Sequence, residues 1–157
     1  MANYLIGCDI GTSGAKAIVI DDQGTLLGSG YIEYPLLASQ PGWSEHDPQD
    51  YWRVFKHVVR GALQNSGVDN REVRGISVSS CSPCSVFVDR QGNALDRSQT
   101  WQDRRAVDEC RYVQQFYSAD EIFELTANTL DPHIGALKLL WEKNNRPEIY
   151  QKTFKML

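Results

Sequence analysis

Apolar and polar positions alternate in three extended stretches at the start of the chain. Apolar runs over 4–8 and 17–20 predict two buried strands, and a short turn with glycines at Gly11 and Gly14 separates them. After a second turn over 21–24, an extended pattern resumes over 26–34. Three consecutive antiparallel strands are therefore expected.

Helical spacing of apolar residues begins after Asp47 and Pro48, which supply an N-cap and a proline at the first helical position. This helix is expected to run to about Asn65, and Gly67 stops it. The later pattern predicts a buried strand over 73–79 and a short strand over 85–88. Three helices are expected next: one over 104–117, a short one that begins at 118, and one over 134–143. A turn over 147–150 and the start of a strand over 152–157 complete the chain.

Grouped strands followed by alternating helices and strands predict an α/β layered domain rather than an all-β or bundle protein. The length of 157 residues, with 41% hydrophobic and 23% charged residues, is enough for one domain with a core. Because the chain stops at an opening strand, we expect it to be the N-terminal part of a longer protein.

The charge balance argues against two classes of partner. Sixteen basic and twenty acidic residues give a net charge of −4, which offers no general attraction to nucleic acid or to an anionic membrane. The first residues, 1–3, do not begin a leader, and no apolar run approaches the roughly 20 residues of a membrane span. A soluble, cytoplasmic protein is expected.

The first turn carries the clearest candidate chemistry. Gly11 and Gly14 permit positive φ and remove side chains, so that backbone N–H groups and the hydroxyls of Thr12 and Ser13 can converge on a phosphate. The alternative is a hairpin in which the glycines only make the turn. Neither the P-loop pattern nor the dinucleotide-binding pattern is present.

Two charged residues beside this turn favour phosphate binding over a plain hairpin. Asp9, at the end of the first strand, is a carboxylate that can hold hydrated Mg²⁺, since Mg²⁺ prefers one or two carboxylates with waters and phosphate oxygens. Lys16 adds a positive charge.

The four cysteines are too few and too scattered for a disulfide scaffold, which favours a reducing compartment. Cys81 and Cys84 have the C-x-x-C spacing of a redox pair or of half a zinc site. No paired spacing of other cysteines or histidines supplies the second half, so we interpret them as small residues lining a loop.

Four segments together resemble the N-terminal region of the FGGY carbohydrate kinases. Besides the first turn, they are Gly42-Trp43-Ser44-Glu45-His46-Asp47-Pro48, Trp101-Gln102-Asp103-Arg104-Arg105-Ala106, and Asp131-Pro132 followed by Lys138 and Trp141. The resemblance covers essentially the whole chain. It implies the N-terminal part of an ATP-dependent kinase that transfers the γ-phosphate to a sugar or polyol hydroxyl.

The fold implied by the resemblance is the actin-like ATPase, or ribonuclease H-like, fold, a mixed sheet with leading antiparallel strands flanked by helices. Residues 1–157 would form an incomplete N-terminal actin-like domain. The implied cofactors are ATP and Mg²⁺. Asp9 falls on the position of the family's Mg²⁺-associated aspartate, which would hold the ion through water. The residues implied to face the ATP phosphates are Gly11, Thr12, Ser13 and Lys16.

The resemblance also implies a small-molecule sugar or polyol substrate. Trp101 aligns with an indole of the polyol pocket and Asp103 with the acidic residue that follows it. The family's glycerol kinases carry Arg-Glu, and its xylulokinases Met-His, where this chain has Ser82-Pro83. Cys81 and Ser82 are candidate substrate contacts there, and His133 is another where glycerol kinase has a tyrosine.

The family's general base is an aspartate that would lie beyond Leu157, so no catalytic residue is expected within the chain, and the 157 residues alone are expected not to turn over. A homodimer is left open. Two alternatives remain: a ribonuclease H-like nuclease or resolvase, which needs clustered carboxylates around two metals, and a non-catalytic nucleotide-binding module.

Overall fold

The computed structural model describes residues 3–157, so Met1 and Ala2, which belong to the stretch searched for a leader, lie outside the described residues. Contacts group the chain into two compact units, and the single domain expected from the length stays a prediction. The first unit contains the chain up to Leu36 together with Pro48–Cys81. The second contains Leu37–Asp47 and Ser82–Leu157.

The helices and strands follow the predicted order closely. In chain order they are β1 (Tyr4–Ile10), β2 (Gly14–Ile20), β3 (Leu26–Glu33), β4 (Glu45–His46), α1 (Pro48–Ser66), a 3₁₀ turn (Asn70–Glu72), β5 (Val73–Ser80), β6 (Phe87–Val88), β7 (Ser98–Gln99), α2 (Val107–Val113), α3 (Ala119–Thr126), α4 (Gly135–Asn145), α5 (Pro147–Lys152) and β8 (Lys155–Met156).

The first unit is a mixed four-stranded sheet in the order β3-β2-β1-β5. The pairings of β1 with β2 and of β2 with β3 are antiparallel, which confirms the expected leading strands, and β5 lies parallel to β1. Helix α1 packs across β1, β2 and β3. The core between them is apolar and comprises Ile6, Cys8, Ile10, Ala15, Ala17, Val19, Tyr34, Val54, Val58 and Ala62.

Two glycines of β3 let α1 approach the sheet very closely. A Cβ on Gly28 would lie 2.4 Å from the backbone nitrogen of Ser66, and one on Gly30 would lie 2.5 Å from the carbonyl oxygen of Val58. Real Cβ atoms do not tolerate such distances, so the helix can dock here only because the side chains are missing.

The strands of this sheet are less buried than the sequence suggested. Leu5 and Ile18 point to the face opposite α1 and are about 40% exposed (41% and 39%), so β1 and β2 are buried on one face only. The prediction of a buried strand at β5 is wrong for this chain, because Ile76 and Val78 are each 51% exposed. The reason is that β5 is an edge strand of the sheet within residues 3–157, and α1 packs mainly against β1, β2 and β3.

The second unit contains two small antiparallel sheets, β4 with β7 and β6 with β8, and the remaining helices. Helix α2 is shorter than predicted. Its expected first residues are held elsewhere, because the Arg104 N–H donates to the Gly42 carbonyl (2.7 Å) and the Arg105 N–H donates to the Asp103 carboxylate (3.1 Å). The expected turn at 147–150 is the short helix α5, and the strand expected near the end is β8.

Within residues 3–157, no helix is both long enough and apolar enough to cross a lipid bilayer.

Candidate functional site

The turn between β1 and β2 gathers all five predicted phosphate-site residues at one end of a hairpin. Thr12 is half-buried and Ser13 is exposed at the tip. The turn is closed by the Gly11 N–H, which donates to the Gly14 carbonyl (3.0 Å), and its approach is tied to β5 by the Cys81 N–H, which donates to the Ile10 carbonyl (2.9 Å). This geometry gives a short, well-braced turn of the kind that can present N–H groups to an anion.

The reason for the two glycines differs from the sequence prediction. Positive φ is found at Gly24, Gly42, Gly67 and Gly92, but not at Gly11 or Gly14. Space is the constraint instead. A Cβ on Gly14 would lie 2.9 Å from both the Ile32 carbonyl oxygen and the Tyr31 ring, and one on Gly11 would lie 3.2 Å from the Gly14 carbonyl oxygen.

Asp9 and Lys16 lie directly opposite each other in the β1–β2 register, and both are exposed. Opposite side chains of an antiparallel pair share a face, so the carboxylate and the ammonium are on the same face of the sheet. The ammonium Nζ lies 5.7 Å from the centre of the Tyr31 ring. Beside the pair is a shallow depression of about 280 Å³, lined by Gly7, Cys8, Asp9, Lys16, Ala17 and Ile18.

One exposed carboxylate at a strand end fits a magnesium ion that takes most of its ligands from water and phosphate. Among the described residues, no group of three or more histidine, cysteine, aspartate or glutamate side chains is arranged to hold a metal. The nuclease alternative, which needs such a cluster for two metals, gains no support from residues 3–157. Within residues 3–157, neither Cys81 nor Cys84 belongs to such a group, and neither forms a disulfide.

In the second unit, the fold brings two of the family-like sequence segments side by side. Strand β4, from the first segment, pairs with β7, which leads into the second. The Thr100 N–H donates to the Ser44 carbonyl (2.9 Å), and the hydroxyls of the two residues are 2.7 Å apart. Ser44 and Thr100 are 56 residues apart in the sequence, so two distant segments form one local structure.

Arg105 is the centre of this structure. Its guanidinium contacts the carboxylates of Glu45 (2.6 Å) and Asp103 (2.8 Å), and all three side chains are no more than 3% exposed. The same guanidinium lies 3.6 Å from the centre of the Trp43 ring and 5.0 Å from that of Trp141. Two charge pairs and two aromatic faces thus compensate the burial of one cation.

Asp103 is fully buried, whereas Trp101 is 45% exposed. Both carboxylate oxygens of Asp103 accept hydrogen bonds within the protein, from the Ser44 N–H (2.8 Å) and from Arg105 (2.8–3.1 Å). The predicted contact between Asp103 and a substrate stays a prediction, and the geometry favours a role in shaping the turn that carries Trp101. The indole of Trp101 has the exposure that a substrate contact needs.

Lys138 approaches the same turn from helix α4. Its buried ammonium donates to the backbone carbonyls of Thr100 (2.7 Å) and Gln99 (3.3 Å). Burial lowers the pKa of Lys138 to about 8, although the nearby charges of Asp103 and Cys84 act in the opposite direction. Lys138 therefore braces the backbone just before Trp101.

His133 is positioned by Asp131. The carboxylate accepts from the His133 backbone N–H (3.0 Å) and lies 2.6 Å from the ring nitrogen Nδ1, while Arg104 donates to both carboxylate oxygens (2.5 and 2.7 Å). Partial burial would raise the pKa of Asp131, but the hydrogen bonds from Arg104 and His133 lower it to about 2. The His133 side chain is 33% exposed, so its ring remains accessible.

The remaining predicted contacts fall where the two units divide along the chain. Cys81 is half-buried at the end of the first unit, and Ser82 is exposed at the start of the second. The Ser82–Pro83 peptide bond is cis. Contact of the Cys81 thiol and the Ser82 hydroxyl with a substrate stays a prediction.

Sequence reasoning missed the residues that brace the sites. Tyr34 was not singled out, and Arg105 and Lys138 were quoted only as parts of a resemblance. A usable signal existed for Lys138, because Lys138 and Glu142 are charged residues four positions apart beside apolar ones, and both prove to be fully buried in α4.

The comparisons with known proteins agree with this architecture. The family model described as "FGGY family of carbohydrate kinases, N-terminal domain" matches residues 4–157. A glycerol kinase from Delftia acidovorans is 33% identical over 143 residues, which are 90% of this chain and 29% of that protein. The chain therefore spans less than a third of the length of this curated relative.

Solved structures give the same result for the fold. A gluconate kinase from Lactobacillus acidophilus superimposes with a TM-score of 0.92 at 26% identity, covering 100% of this chain and 31% of that one. A ligand-bound xylulose kinase from the same species has a TM-score of 0.90 at 27% identity, covering 98% and 31%. These similarities confirm the expected actin-like, mixed α/β fold class.

Proposed function

The chain belongs to the FGGY family of carbohydrate kinases, and on that premise we propose that it is the N-terminal part of an ATP-dependent sugar or polyol kinase. The relatives are about three times as long, since the chain covers 29–31% of them. We therefore propose that residues 4–157 are the first part of an actin-like domain that later residues complete.

The observation that carries this proposal is the placement of Asp9 and Lys16 beside the glycine turn of the first unit. Phosphoryl transfer depends on positioning and on neutralising the charge of the transferred group. N–H groups and hydroxyls of the turn at Thr12 and Ser13, with the Lys16 ammonium, would bind the ATP phosphates. Asp9 would hold Mg²⁺ through water.

We propose that the second unit supplies contacts to the acceptor. The exposed Trp101 indole would pack against the C–H face of a sugar or polyol, and His133, held by Asp131, would exchange a hydrogen bond with a hydroxyl. Ser82 would add a weaker polar contact. Cys81, the last residue of the first unit, stays a candidate contact to the acceptor. Asp103 would act indirectly, by holding the turn, because both of its oxygens are already occupied.

The names of the relatives restrict the acceptor to a class. They include kinases of glycerol, xylulose and gluconate, which all carry several hydroxyls on a short carbon chain. The general base that removes the acceptor proton would come from an aspartate in a later segment, as the family resemblance implies. A cytoplasmic location is proposed as well, supported by the four cysteines, none of which forms a disulfide within residues 3–157, and a homodimer stays a prediction.

The decisive experiment is an ADP-release assay on the full-length protein with Mg-ATP and a panel containing glycerol, xylulose and gluconate. We expect ADP release that depends on one of these acceptors. Asp9→Asn should lower kcat by about 100-fold, because it removes charge that acts at the transferred phosphoryl group. Asp22→Asn, at an exposed aspartate in the turn after β2, is the matched control and should keep full activity.

A wild-type protein without acceptor-dependent turnover on any panel member would contradict the proposal, as would an Asp9→Asn variant with wild-type kcat. ATP binding without turnover would favour the non-catalytic module. Cleavage of branched DNA in Mg²⁺ would favour the nuclease.

A further inference from the structure

Tyr34 lies directly after β3, inside the core of the first unit. It is only 5% exposed, although it carries a hydroxyl. Its ring packs edge to face against Tyr51, with the ring centres 6.3 Å apart and the planes at 85°. A buried phenol usually has a hydrogen-bond partner that justifies it.

The partner is part of the candidate phosphate turn. The Tyr34 hydroxyl donates a hydrogen bond to the carbonyl oxygen of Gly11, across 23 residues of sequence. The Gly11 carbonyl is therefore directed towards the buried core. In a planar trans peptide, the C=O and the N–H of the same unit point in opposite directions. The N–H that follows, that of Thr12, must then point away from the core.

This orientation matters for an anion. If the Gly11–Thr12 peptide were turned over, the carbonyl dipole would face the region where a phosphate would sit and would repel it, whereas the observed orientation presents a donor. The bond from the Gly11 N–H to Gly14 and the bond from the Cys81 N–H to the Ile10 carbonyl do not involve the Gly11 carbonyl. Glycine has little conformational resistance to such a rotation, so the bond from Tyr34 restrains the peptide.

We propose that Tyr34 is a positioning residue for the phosphate turn, and that its hydroxyl holds the Gly11–Thr12 peptide with its N–H towards the nucleotide phosphates. The inference rests on the proposed function for the identity of the anion. The orienting role itself rests on the hydrogen bond and on the planarity of the peptide.

The test is Tyr34→Phe in the full-length protein, which keeps the buried ring and removes only the hydroxyl. Two measurements are made: the NMR order parameter of the Thr12 N–H without ligand, and the Kd for Mg-ATP by calorimetry. We expect a lower order parameter, because the peptide is less restrained, and a Kd about three- to tenfold higher, the range that corresponds to losing one hydrogen bond. The KM of the acceptor should not change.

Tyr112→Phe is the matched control, since Tyr112 is 53% exposed on α2 and the change is chemically identical. Both its Thr12 order parameter and its ATP affinity should equal those of the wild type. An unchanged Thr12 order parameter in Tyr34→Phe would overturn the orienting role, and unchanged ATP affinity would overturn its link to the phosphates. Failure of the proposed function would be seen separately, as a wild-type protein that does not bind ATP at all.

Discussion

The two units of the chain are stabilised by different kinds of interior. In the first, the core between the sheet and α1 is made of aliphatic side chains, small residues and the ring of Tyr34. In the second, the apolar core cluster is smaller, with Ala106, Cys110 and Leu137 as its buried residues. Among residues 3–157, every buried polar or charged residue belongs to the second unit.

This difference determines how each unit responds to change. Apolar packing has no direction, so the first unit depends on having room for its backbone to approach, as at Gly28 and Gly30. A buried charge is costly unless it is paired, so the second unit depends on each partner being present. Trp101 and His133, which are proposed to contact the acceptor, are held by such polar pairs, through Lys138 and Asp131 respectively.

The largest effect is expected from Arg105→Met. The substitution leaves the buried carboxylates of Glu45 and Asp103 without their main cationic partner. Breaking a buried pair in this way typically costs about 3–5 kcal/mol. Urea denaturation of the full-length protein should show this loss in the free energy of unfolding.

Arg111→Met is the matched control for Arg105. Arg111 pairs with Asp108 at 2.7 Å, but the two side chains are 71% and 84% exposed. A loss of less than about 1 kcal/mol is expected. Equal losses in the two variants would show that the buried network does not differ from the surface pairs.

The next largest effect is expected in the first unit, from Gly30→Ala. The added Cβ would lie 2.5 Å from the Val58 carbonyl oxygen and would push α1 away from the sheet. Overpacking against backbone should lower the free energy of unfolding by about 2–3 kcal/mol. At Gly75 an added Cβ would lie 3.6 Å from the Leu5 side chain, so Gly75→Ala should change stability by less than about 1 kcal/mol. If both variants were equally stable, close helix approach would not limit this unit.

Lys138 predicts a dependence on alkaline pH. Burial lowers the pKa of Lys138 from 10.5 to about 8 in the folded chain, so between these pH values the unfolded state binds more protons. Stability should therefore rise with pH in this window. The free energy of unfolding of the wild type, relative to Lys138→Met, should increase by about 2 kcal/mol between pH 7.5 and pH 10.

The matched control for Lys138 is Lys143→Met, at an exposed lysine of the same helix. Its difference from the wild type should stay constant over this pH range. A constant difference for Lys138→Met as well would contradict the effect of burial on the ammonium.

The smallest effect is expected from Asp131→Asn at acid pH. The pKa of Asp131 is lowered from 3.8 to about 2 in the folded chain, so its charge stabilises the fold above pH 4 and this contribution is lost as the pH falls through 2. The wild type should be more stable than the variant by about 1 kcal/mol at pH 5 and by almost nothing at pH 2. Denaturation curves at both pH values measure this, and an exposed control, Asp22→Asn, should show no such convergence.

Local signals predicted most of the elements. Asp47 and Pro48, followed by apolar residues at helical spacing, placed α1 within one residue of its observed end at Ser66. The leading strands were predicted in the right order, but β1 extends two residues further, to Ile10, and β2 begins three residues earlier, at Gly14. The helix expected over 104–117 was too long because its first residues are bound to distant groups, as the bond from the Arg104 N–H to Gly42 shows.

The candidate sites divide in the same way. Asp9, the glycine turn and Lys16 lie within eight residues of one another along the chain, so their pattern was visible. The residues that brace them act over long separations: 23 residues from Tyr34 to Gly11, 38 from Lys138 to Thr100 and 60 from Arg105 to Glu45. No periodicity in the chain indicates such pairs.

Amino-acid order was sufficient to predict the leading strands, the phosphate turn and the family, because strand periodicity, turn preference and motif spacing are local properties. Three-dimensional packing was needed to learn that Arg105, Asp103 and Lys138 are interior and that β5 is an exposed edge. Desolvation and charge pairing depend on which distant segments meet, and those meetings exist only in the folded chain.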